Sequence, residues 1–111
     1  MFNQRDVVLL PFPYSDLSGS KQRPAVIISN KKLNKYEDRI CCLITSNSSK
    51  DGIFIKNNYF ESGELPFKSW IKPYRLFTVN ENIINKKLGT LTKDFHSEII
   101  SAVSEYYKLE P

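Results

Sequence analysis

The sequence predicts a mainly β domain: a small, strongly bent sheet or partly closed barrel, completed by one C-terminal helix. Short runs rich in Val, Ile and Leu recur along the chain, and Gly, Pro, Asn and Ser residues typical of turns separate them. Clear helical periodicity is confined to the C-terminal segment. With 111 residues, of which 41% are hydrophobic, the chain can bury one core, so we expect a single domain over residues 1–111.

The first half of the chain is predicted to hold three main strands. Residues 6–12, rich in Val and Leu, form the first strand, which ends at the prolines, and residues 14–22 have the composition of a turn. Residues 25–29 and 39–45 form the next two strands. A loop or short helical turn over residues 30–38 joins them.

The second half is predicted to alternate shorter strands with loops. In order, these are residues 46–51 (loop), 52–55 (strand), 57–66 (long exposed connection), 69–72 (strand) and 74–79 (strand). Pro73 separates the last two strands because it cannot donate to a sheet ladder. Residues 83–91 fit either a strand that leads into the helix or, in part, a helical turn.

The last segment is the clearest helix. Its apolar side chains fall at helical spacing and form one stripe, consisting of Phe95, Ile99, Ala102, Val103 and Tyr106. Thr92 is the predicted N-cap, and Asp94 suits the positive end of the helix dipole. We expect the stripe to pack on the sheet.

Metal and redox chemistry have little support in the sequence. The cysteines Cys41 and Cys42 are adjacent on a predicted strand, so they point to opposite faces, cannot bridge each other, and at least one should be buried. No His, Cys and Asp cluster has metal-ligand spacing, and we predict no metal and no cofactor. The only histidine, His96, is predicted to be a partly exposed helical residue, which excludes a two-histidine ribonuclease mechanism.

Charge and hydropathy indicate the class of partner. The net charge of +4 and the pI of about 9.1 are compatible with a nucleic acid or an acidic protein partner, and also with an ordinary lysine-rich protein. No apolar run approaches the roughly 20 residues that cross a membrane, and the N-terminus lacks the pattern of a signal peptide. We therefore expect a cytoplasmic location and no membrane partner.

Arginines and hydroxyls are the remaining candidates for chemistry. The sixteen basic residues include only four arginines, at positions 5, 23, 39 and 75. The planar guanidinium fork of arginine suits phosphate, but each arginine could instead form a structural ion pair, as expected for Arg39 at a strand start. The hydroxyls of Thr45 and Ser46 lie at a strand end, where they can donate to a phosphate oxygen or simply cap a turn.

Three segments resemble the MazF/PemK family of bacterial toxins. They are DVVLLPFPYSDLSGSKQRPAVIISN from Asp6 to Asn30, CLITSN from Cys42 to Asn47, and PYRLFTVNENIINKKLGTLT from Pro73 to Thr92. They occur in the order found in the family and cover nearly the whole chain. The first segment is the most specific of the three.

The resemblance implies an SH3-like small barrel of the MazF/PemK/CcdB type, acting as a homodimer. It also implies a metal-independent endoribonuclease that cleaves single-stranded RNA and is inhibited by an acidic antitoxin protein. The family's arginine of the Arg-Pro pair corresponds to Arg23, and its hydroxyl residue to Thr45, which are thus the predicted catalytic residues. Predicted RNA-binding residues are Gly19, Ser20, Lys21, Ser46, Asn47 and Arg75.

The chain departs from the family pattern in its first loop. Many relatives have Gly-Ser-Glu where this chain has Gly19-Ser20-Lys21, which removes an acidic group and makes the loop more basic. Aromatic candidates for stacking on RNA bases are Tyr14, Phe67 and Trp70. Two other readings stay open: a gyrase-binding toxin of the CcdB type, and a catalytically silent binding module on the same fold.

Overall fold

The computed structural model describes residues 1–13, 19–48 and 50–111, so most of the turn predicted at residues 14–22 lies outside the described part. The strands are β1 (Asp6–Pro13), β2 (Ser20–Ile27), β3 (Asp38–Thr45), β4 (Ile53–Phe54), β5 (Phe60–Gly63), β6 (Trp70–Asn80) and β7 (Lys86–Leu91). The helices are α1 (Lys31–Asn34) and α2 (Lys93–Glu105), with 3₁₀ turns at Asn57–Tyr59 and Glu81–Ile83. Among the described residues, no helix is both long enough and apolar enough to traverse a bilayer.

The seven strands form one curled antiparallel sheet in the order β4-β6-β3-β2-β1-β7-β5. Register shifts interrupt the β1–β7, β3–β6 and β5–β7 pairings. Such bulges bend strands and increase their twist, which lets a short sheet curl around a core. The predicted fold class, a mainly β half-barrel with a C-terminal helix, is confirmed.

The two faces of the sheet carry separate apolar clusters. One face packs against α2 and includes Val7, Val26 and Cys42; the other includes Val8, Ile27 and Cys41. Neighbouring residues of a strand thus alternate between two cores, as strand geometry requires. Both cysteines are buried and unbridged, which confirms the prediction. Burial raises the pKa of each thiol to about 12.

The C-terminal helix follows the predicted pattern closely. The Phe95 N–H donates to the Thr92 hydroxyl at 3.2 Å, so Thr92 is the N-cap. Phe95, Ile99 and Val103 are buried on the sheet. Tyr106 is half exposed because it lies just beyond the last helical residue, where the stripe leaves the sheet.

Three boundaries differ from the sequence prediction. Residues 20–22 belong to β2 rather than to a turn, because they pair with the proline-rich end of β1. The connection predicted at residues 57–66 contains a 3₁₀ turn and β5, which pairs with β7. The ambiguous segment 83–91 is divided: Ile83 ends a 3₁₀ turn and residues 86–91 form a strand, so each alternative holds for part of it.

Pro73 does not divide the sixth strand, contrary to the prediction. It lies within β6, where the pairing with β3 passes from Cys42–Leu76 directly to Ile44–Ile71. Between these two pairs, β6 has more residues than β3, and Pro73 is one of the residues without a pairing partner on β3. Because no ladder hydrogen bond is required of it, the missing N–H of Pro73 is tolerated there.

A buried arginine ties the ends of three segments together. The Arg39 side chain is 0% exposed and its Nη2 donates to the Glu81 carboxylate at 2.8 Å. Its other N–H groups donate to the carbonyl oxygens of Phe2, Tyr36 and Asp38 at 2.7–2.9 Å. The predicted salt-bridge role of Arg39 is confirmed, with a degree of burial that the sequence did not indicate.

Gly63 fixes the outer edge of the sheet. Its φ of +75° is unfavourable for residues that carry a Cβ, and a Cβ there would overlap the Leu88 carbonyl oxygen. β5 thus lies tightly against β7 at this edge, and the segment that follows it contributes Leu65, Pro66, Phe67 and Ser69 to a groove described below.

We expect Arg39→Ala to destabilise the protein by about 3–5 kcal/mol, because it removes a fully buried guanidinium, leaves three carbonyl oxygens without their donor at about 1–3 kcal/mol each, and breaks the ion pair with the partly exposed Glu81. Urea denaturation monitored by tryptophan fluorescence measures this. The exposed Lys35→Ala should change the free energy of unfolding by less than about 0.5 kcal/mol. Equal stability of the two variants would contradict the role of Arg39.

Candidate nucleic-acid cleavage groove

A groove of about 400 Å³ lies where β2 begins and β3 ends. Its lining comes from β1, β2, β3, β7 and the segment between β5 and β6. The lining residues are Leu9, Lys21, Gln22, Arg23, Pro24, Ile44, Thr45, Ser46, Leu65, Pro66, Phe67, Ser69, Lys86 and Leu88. We refer to this feature as the groove.

The pairing of β2 with β3 brings the two predicted catalytic residues together. The register pairs Ala25 with Leu43 and Ile27 with Cys41. The observed β2–β3 pairing ends at Ala25–Leu43, and one further step of two residues in the same register would place Arg23 opposite Thr45. Both residues line the groove, so two positions that are 22 apart in sequence (45 − 23) meet at one site.

The Thr45 hydroxyl is held in a defined position. Its side chain is buried, with the residue 6% exposed, and its oxygen accepts a hydrogen bond from the Asn47 N–H at 3.2 Å. Because a hydroxyl carries one donor and two acceptor sites, the O–H remains able to donate to a ligand. Asn47 thereby orients Thr45 through its backbone.

The groove is electropositive. Its lining contributes Lys21, Arg23 and Lys86, and no Asp or Glu belongs to the described lining. Arg23 is half-buried, and no carboxylate of residues 1–13, 19–48 or 50–111 forms an ion pair with it. A half-buried arginine that shares the groove with two lysines suits an anionic ligand with several oxygen acceptors.

One wall of the groove is apolar and carries an exposed aromatic ring. Leu65, Pro66 and Phe67 form this wall, and Phe67 is 74% exposed. The Ser69 hydroxyl donates to the Phe67 carbonyl oxygen at 2.9 Å, which stabilises the turn that presents the ring. Phe67 is thus available to a planar ligand beside the basic side chains of the groove.

The other predicted RNA-binding residues are distributed around this centre. Lys21 and Ser46 line the groove. Gly19 is exposed just before β2, and Ser20 is the first residue of that strand. Asn47 and Arg75 are exposed, and neither belongs to the described lining. The roles of Gly19, Ser20, Asn47 and Arg75 stay predictions.

The remaining aromatic candidates differ in setting. Trp70 is half-buried, and its ring packs against Phe54 with 5.4 Å between the ring centroids. It does not belong to the described lining, so Phe67 is the candidate that lies at the groove. Tyr14 lies outside the described residues.

Sequence reasoning missed three polar residues of the groove, Gln22, Ser69 and Lys86, and most of its apolar lining, which includes Leu88. Lys86 comes from the segment whose type was ambiguous, and its place follows from the β1–β7 register, which pairs it with Leu9. The alternation of Lys86 and Leu88 does not indicate that they line the groove, because the sequence does not show that β7 pairs with β1.

The donor set of the groove suits anion binding rather than metal ligation. No group of three or more His, Cys, Asp or Glu residues suited to a metal ion occurs within the described parts of the chain. The groups present are a guanidinium, ammonium groups and hydroxyls, all of which donate hydrogen bonds to phosphate oxygens.

The fold is shared with solved toxin structures. A mycobacterial endoribonuclease in complex with its cognate antitoxin superposes with a TM-score of 0.74 at 16% identity, covering 99% of this chain and 96% of that one. MazF in a MazE–MazF crystal structure from Deinococcus radiodurans gives 0.75 at 14% identity, covering 98% and 97%. The Mycobacterium tuberculosis toxin MazF-mt6 gives 0.73 at 14% identity, covering 96% and 100%. These likenesses establish the fold.

A search among curated protein sequences finds no match to this chain. The model of the PemK-like, MazF-like toxins of type II toxin–antitoxin systems matches residues 3–107. The match spans almost the entire chain, including every strand, α1, α2 and all residues of the groove. The chain therefore belongs to the PemK-like, MazF-like family of type II toxin–antitoxin toxins.

Proposed function

We propose that this protein is an endoribonuclease toxin that cleaves single-stranded RNA in the groove without a metal ion and acts in the cytoplasm. The observation that carries the proposal is the meeting of Arg23 and Thr45 in one electropositive groove. Family membership supports the assignment as a toxin of a toxin–antitoxin system. The names of the mycobacterial relatives of the same fold, described as endoribonucleases, support the activity.

The proposed chemistry uses the nucleophile that RNA itself supplies. The 2′-hydroxyl attacks the adjacent phosphorus, the bond to the 5′-oxygen breaks, and the products are a 2′,3′-cyclic phosphate and a 5′-hydroxyl. Arg23 would place two N–H donors on the non-bridging oxygens as negative charge develops there. The Thr45 O–H, with Ser46 beside it, would add neutral donors to the same group.

Arg23 acts electrostatically in this scheme rather than as a base. A guanidinium keeps its proton in proteins, so it stabilises charge and does not accept the proton of the 2′-hydroxyl. Its partial burial strengthens this effect, because a charge in a partly water-excluded site interacts more strongly with the transition state.

The apolar wall would select which nucleotide lies beside the scissile phosphate. Unpaired RNA bases stack on exposed aromatic rings, and the Phe67 ring stands at the rim of the groove. Single-stranded RNA can present a splayed base there, whereas paired bases are held in their own stack. The wall thus supports a preference for unpaired substrate.

The proposed partners are an acidic antitoxin and a second copy of the chain. The family and the antitoxin-bound relatives support the antitoxin, and the resemblance supports the homodimer. An acidic, extended antitoxin segment would be attracted to the same basic groups that bind RNA. Inhibition would then follow from occupation of the groove.

Arg23→Ala should lower the rate of RNA cleavage about 10²–10³-fold, because it removes the main donor to the developing charge. Thr45→Val, which keeps the side-chain shape but loses the hydroxyl, should also lower the rate strongly, and Thr45→Ser should retain most of it. Single-turnover cleavage of an unstructured RNA in EDTA measures these rates.

Lys35→Ala is the matched control, since Lys35 is exposed and lies outside the groove. Thermal unfolding checks that all variants are folded. Cleavage by Arg23→Ala at the unaltered rate would contradict the assignment. Growth arrest with intact RNA, relieved by gyrase variants, would instead indicate a gyrase-binding toxin.

Phe67→Ala should weaken RNA binding by about 1–3 kcal/mol, the usual contribution of one stacked base, while Phe67→Trp should preserve it. The kcat at saturating RNA should change less than KM, because the ring does not contact the reacting atoms. Mapping the 5′ ends of the products would show a broadened choice of cleavage site in the alanine variant. An unchanged KM and unchanged sites would remove Phe67 from the RNA-binding surface.

A synthetic peptide with the acidic C-terminal sequence of the antitoxin encoded beside the toxin should compete with RNA for the groove. Increasing peptide should raise the apparent KM without changing kcat, and Arg23→Ala should bind both ligands more weakly. Fluorescence titration of labelled RNA in the presence of the peptide measures this. Simultaneous tight binding of both ligands would show that they occupy different surfaces.

A further inference from the structure

A second cavity, of about 880 Å³, lies at the other end of the strands that form the groove. It is open to solvent and is lined by the residues before β1, the segment after β2 and the start of α2. Its lining residues are Asn3, Gln4, Arg5, Asn30, Lys31, Lys32, Asn34, Lys93, His96 and Ser97. We refer to it as the basic cavity.

The lining of the basic cavity has one chemical character. Every described lining side chain is polar; Arg5, Lys31, Lys32 and Lys93 are positively charged, and the lining includes no Asp or Glu. Its described lining contains no aliphatic residue, and its one ring is the imidazole of His96. Such a concentration of like charge in a concave surface attracts anions and raises their local concentration.

Arg5 is held in place by the backbone and by two oxygen acceptors. Its φ of 79° is rare for a residue with a side chain and costs conformational energy. Its Nη1 donates to the Leu91 carbonyl oxygen at 2.8 Å and lies 3.3 Å from the exposed Glu61 carboxylate. The contact with Glu61 on β5 is the only ion pair of Arg5 among the described residues. The other N–H groups of its guanidinium donate to no acceptor in the same part of the chain.

His96 adds an unsatisfied polar group at the same place. Its Nδ1 is buried and has no hydrogen-bond partner within the described residues, although buried polar atoms usually have one. Burial, with the nearby Arg5 charge, lowers the pKa of His96. The imidazole is therefore neutral near pH 7, and a neutral ring has one N–H to donate.

We propose that the basic cavity is a second binding site for the phosphodiester backbone of the RNA strand whose cleavage site lies in the groove. The inference takes its ligand from the proposed function. Phosphates are bound by the groups found here, namely Arg, Lys, Ser, Asn and Gln side chains. At about 880 Å³ the cavity also exceeds what one free anion fills, so it has room for a stretch of backbone.

The lining favours RNA over a protein segment. Protein interfaces depend on apolar or aromatic anchors that fill pockets at their centre. The described lining of the basic cavity has only the half-buried His96 ring and no aliphatic side chain, whereas the groove has the wall formed by Leu65, Pro66 and Phe67. An acidic peptide would thus find anchors in the groove and charge alone in the basic cavity.

The separation of the two sites suits one continuous strand of RNA. Arg5 lines the basic cavity and Leu9 lines the groove, and the intervening residues of β1 span about 13 Å. Roughly four stacked nucleotides cover such a distance. β7 makes the same connection, from Lys86 in the groove to Lys93 just beyond its end.

The test compares uncleavable 2′-O-methyl oligonucleotides of two lengths. The short one fills only the groove, and the long one extends past it by more than the separation of the sites. We expect Lys31→Glu combined with Lys32→Glu to weaken binding of the long oligonucleotide at least about tenfold at 0.1 M salt and to reduce its salt slope by about 0.7 for each lost phosphate contact. Binding of the short one should change less than about twofold in the same assay.

The matched control combines Lys35→Glu with Lys108→Glu. It makes the same change in net charge at exposed residues outside the basic cavity and the groove. Equal losses in the control, or equal losses for the short and long oligonucleotides, would overturn the proposal, since either result indicates general electrostatics alone.

A second measurement reports on the cavity directly. In protein with labelled histidine, the long oligonucleotide should shift the NMR signals of His96 and raise its pKa, because a bound anion favours the charged ring. The charged residues that share the cavity lining with His96 are Arg5, Lys31, Lys32 and Lys93, and the charge of Arg5, after burial, contributes to the lowered pKa of the ring. Inorganic phosphate is tested in the same way. If phosphate shifts the His96 signals and the long oligonucleotide does not, the cavity binds free phosphate and the strand-binding proposal is overturned.

The two proposals fail in different ways. If the protein does not cleave RNA, the cleavage assay in EDTA fails, while the length-dependent loss of binding can still be observed. If the basic cavity does not bind RNA, cleavage of a short substrate proceeds and the lysine variants bind the long oligonucleotide normally.

Discussion

The register between β2 and β3 is the constraint on which the site depends. It pairs Val26 with Cys42 and thereby brings Arg23 and Thr45 to adjacent positions on one face. A slip of one residue would turn one of them to the opposite face of the sheet. The register is well specified because each strand is buried on both faces: Val26 and Cys42 pack toward α2, while Ala25 and Cys41 pack into the other cluster. Apolar packing in the strands thus determines the position of polar groups at their ends.

The polar site also needs rigid surroundings, and these come from the far end of the sheet. Arg39 joins the N-terminal segment, the residues before β3 and the 3₁₀ turn after β6 through one buried guanidinium. β3 begins at this junction and ends at Thr45, so the strand is anchored where it starts and carries the Thr45 hydroxyl to the groove where it ends. The two arginines differ in their surroundings: the N–H groups of Arg39 donate to acceptors within the protein, whereas Arg23 lines a solvent-accessible groove.

Much of the fold and the centre of the site could be predicted from sequence. The strands with continuous apolar runs and the helix with its stripe and Thr92 cap have strong local signals. β5 and β7 have weak local signals, because their positions in the sheet depend on the close approach at Gly63 and on pairing with strands distant in sequence. Arg23 and Thr45 were identified through family resemblance. Lys86 and Ser69 could not be, because long-range register and the path of residues 64–69 bring them to the groove.

The division of two adjacent thiols between two cores has a chemical consequence for the living cell. Peroxide and related oxidants attack the thiolate, and a pKa of about 12 leaves almost none of Cys41 or Cys42 in that form at neutral pH. Neither sulfur reaches solvent, so formation of a sulfenic acid or a mixed disulfide would first require the sheet to open. Oxidative stress therefore has no direct means of switching this molecule through its cysteines.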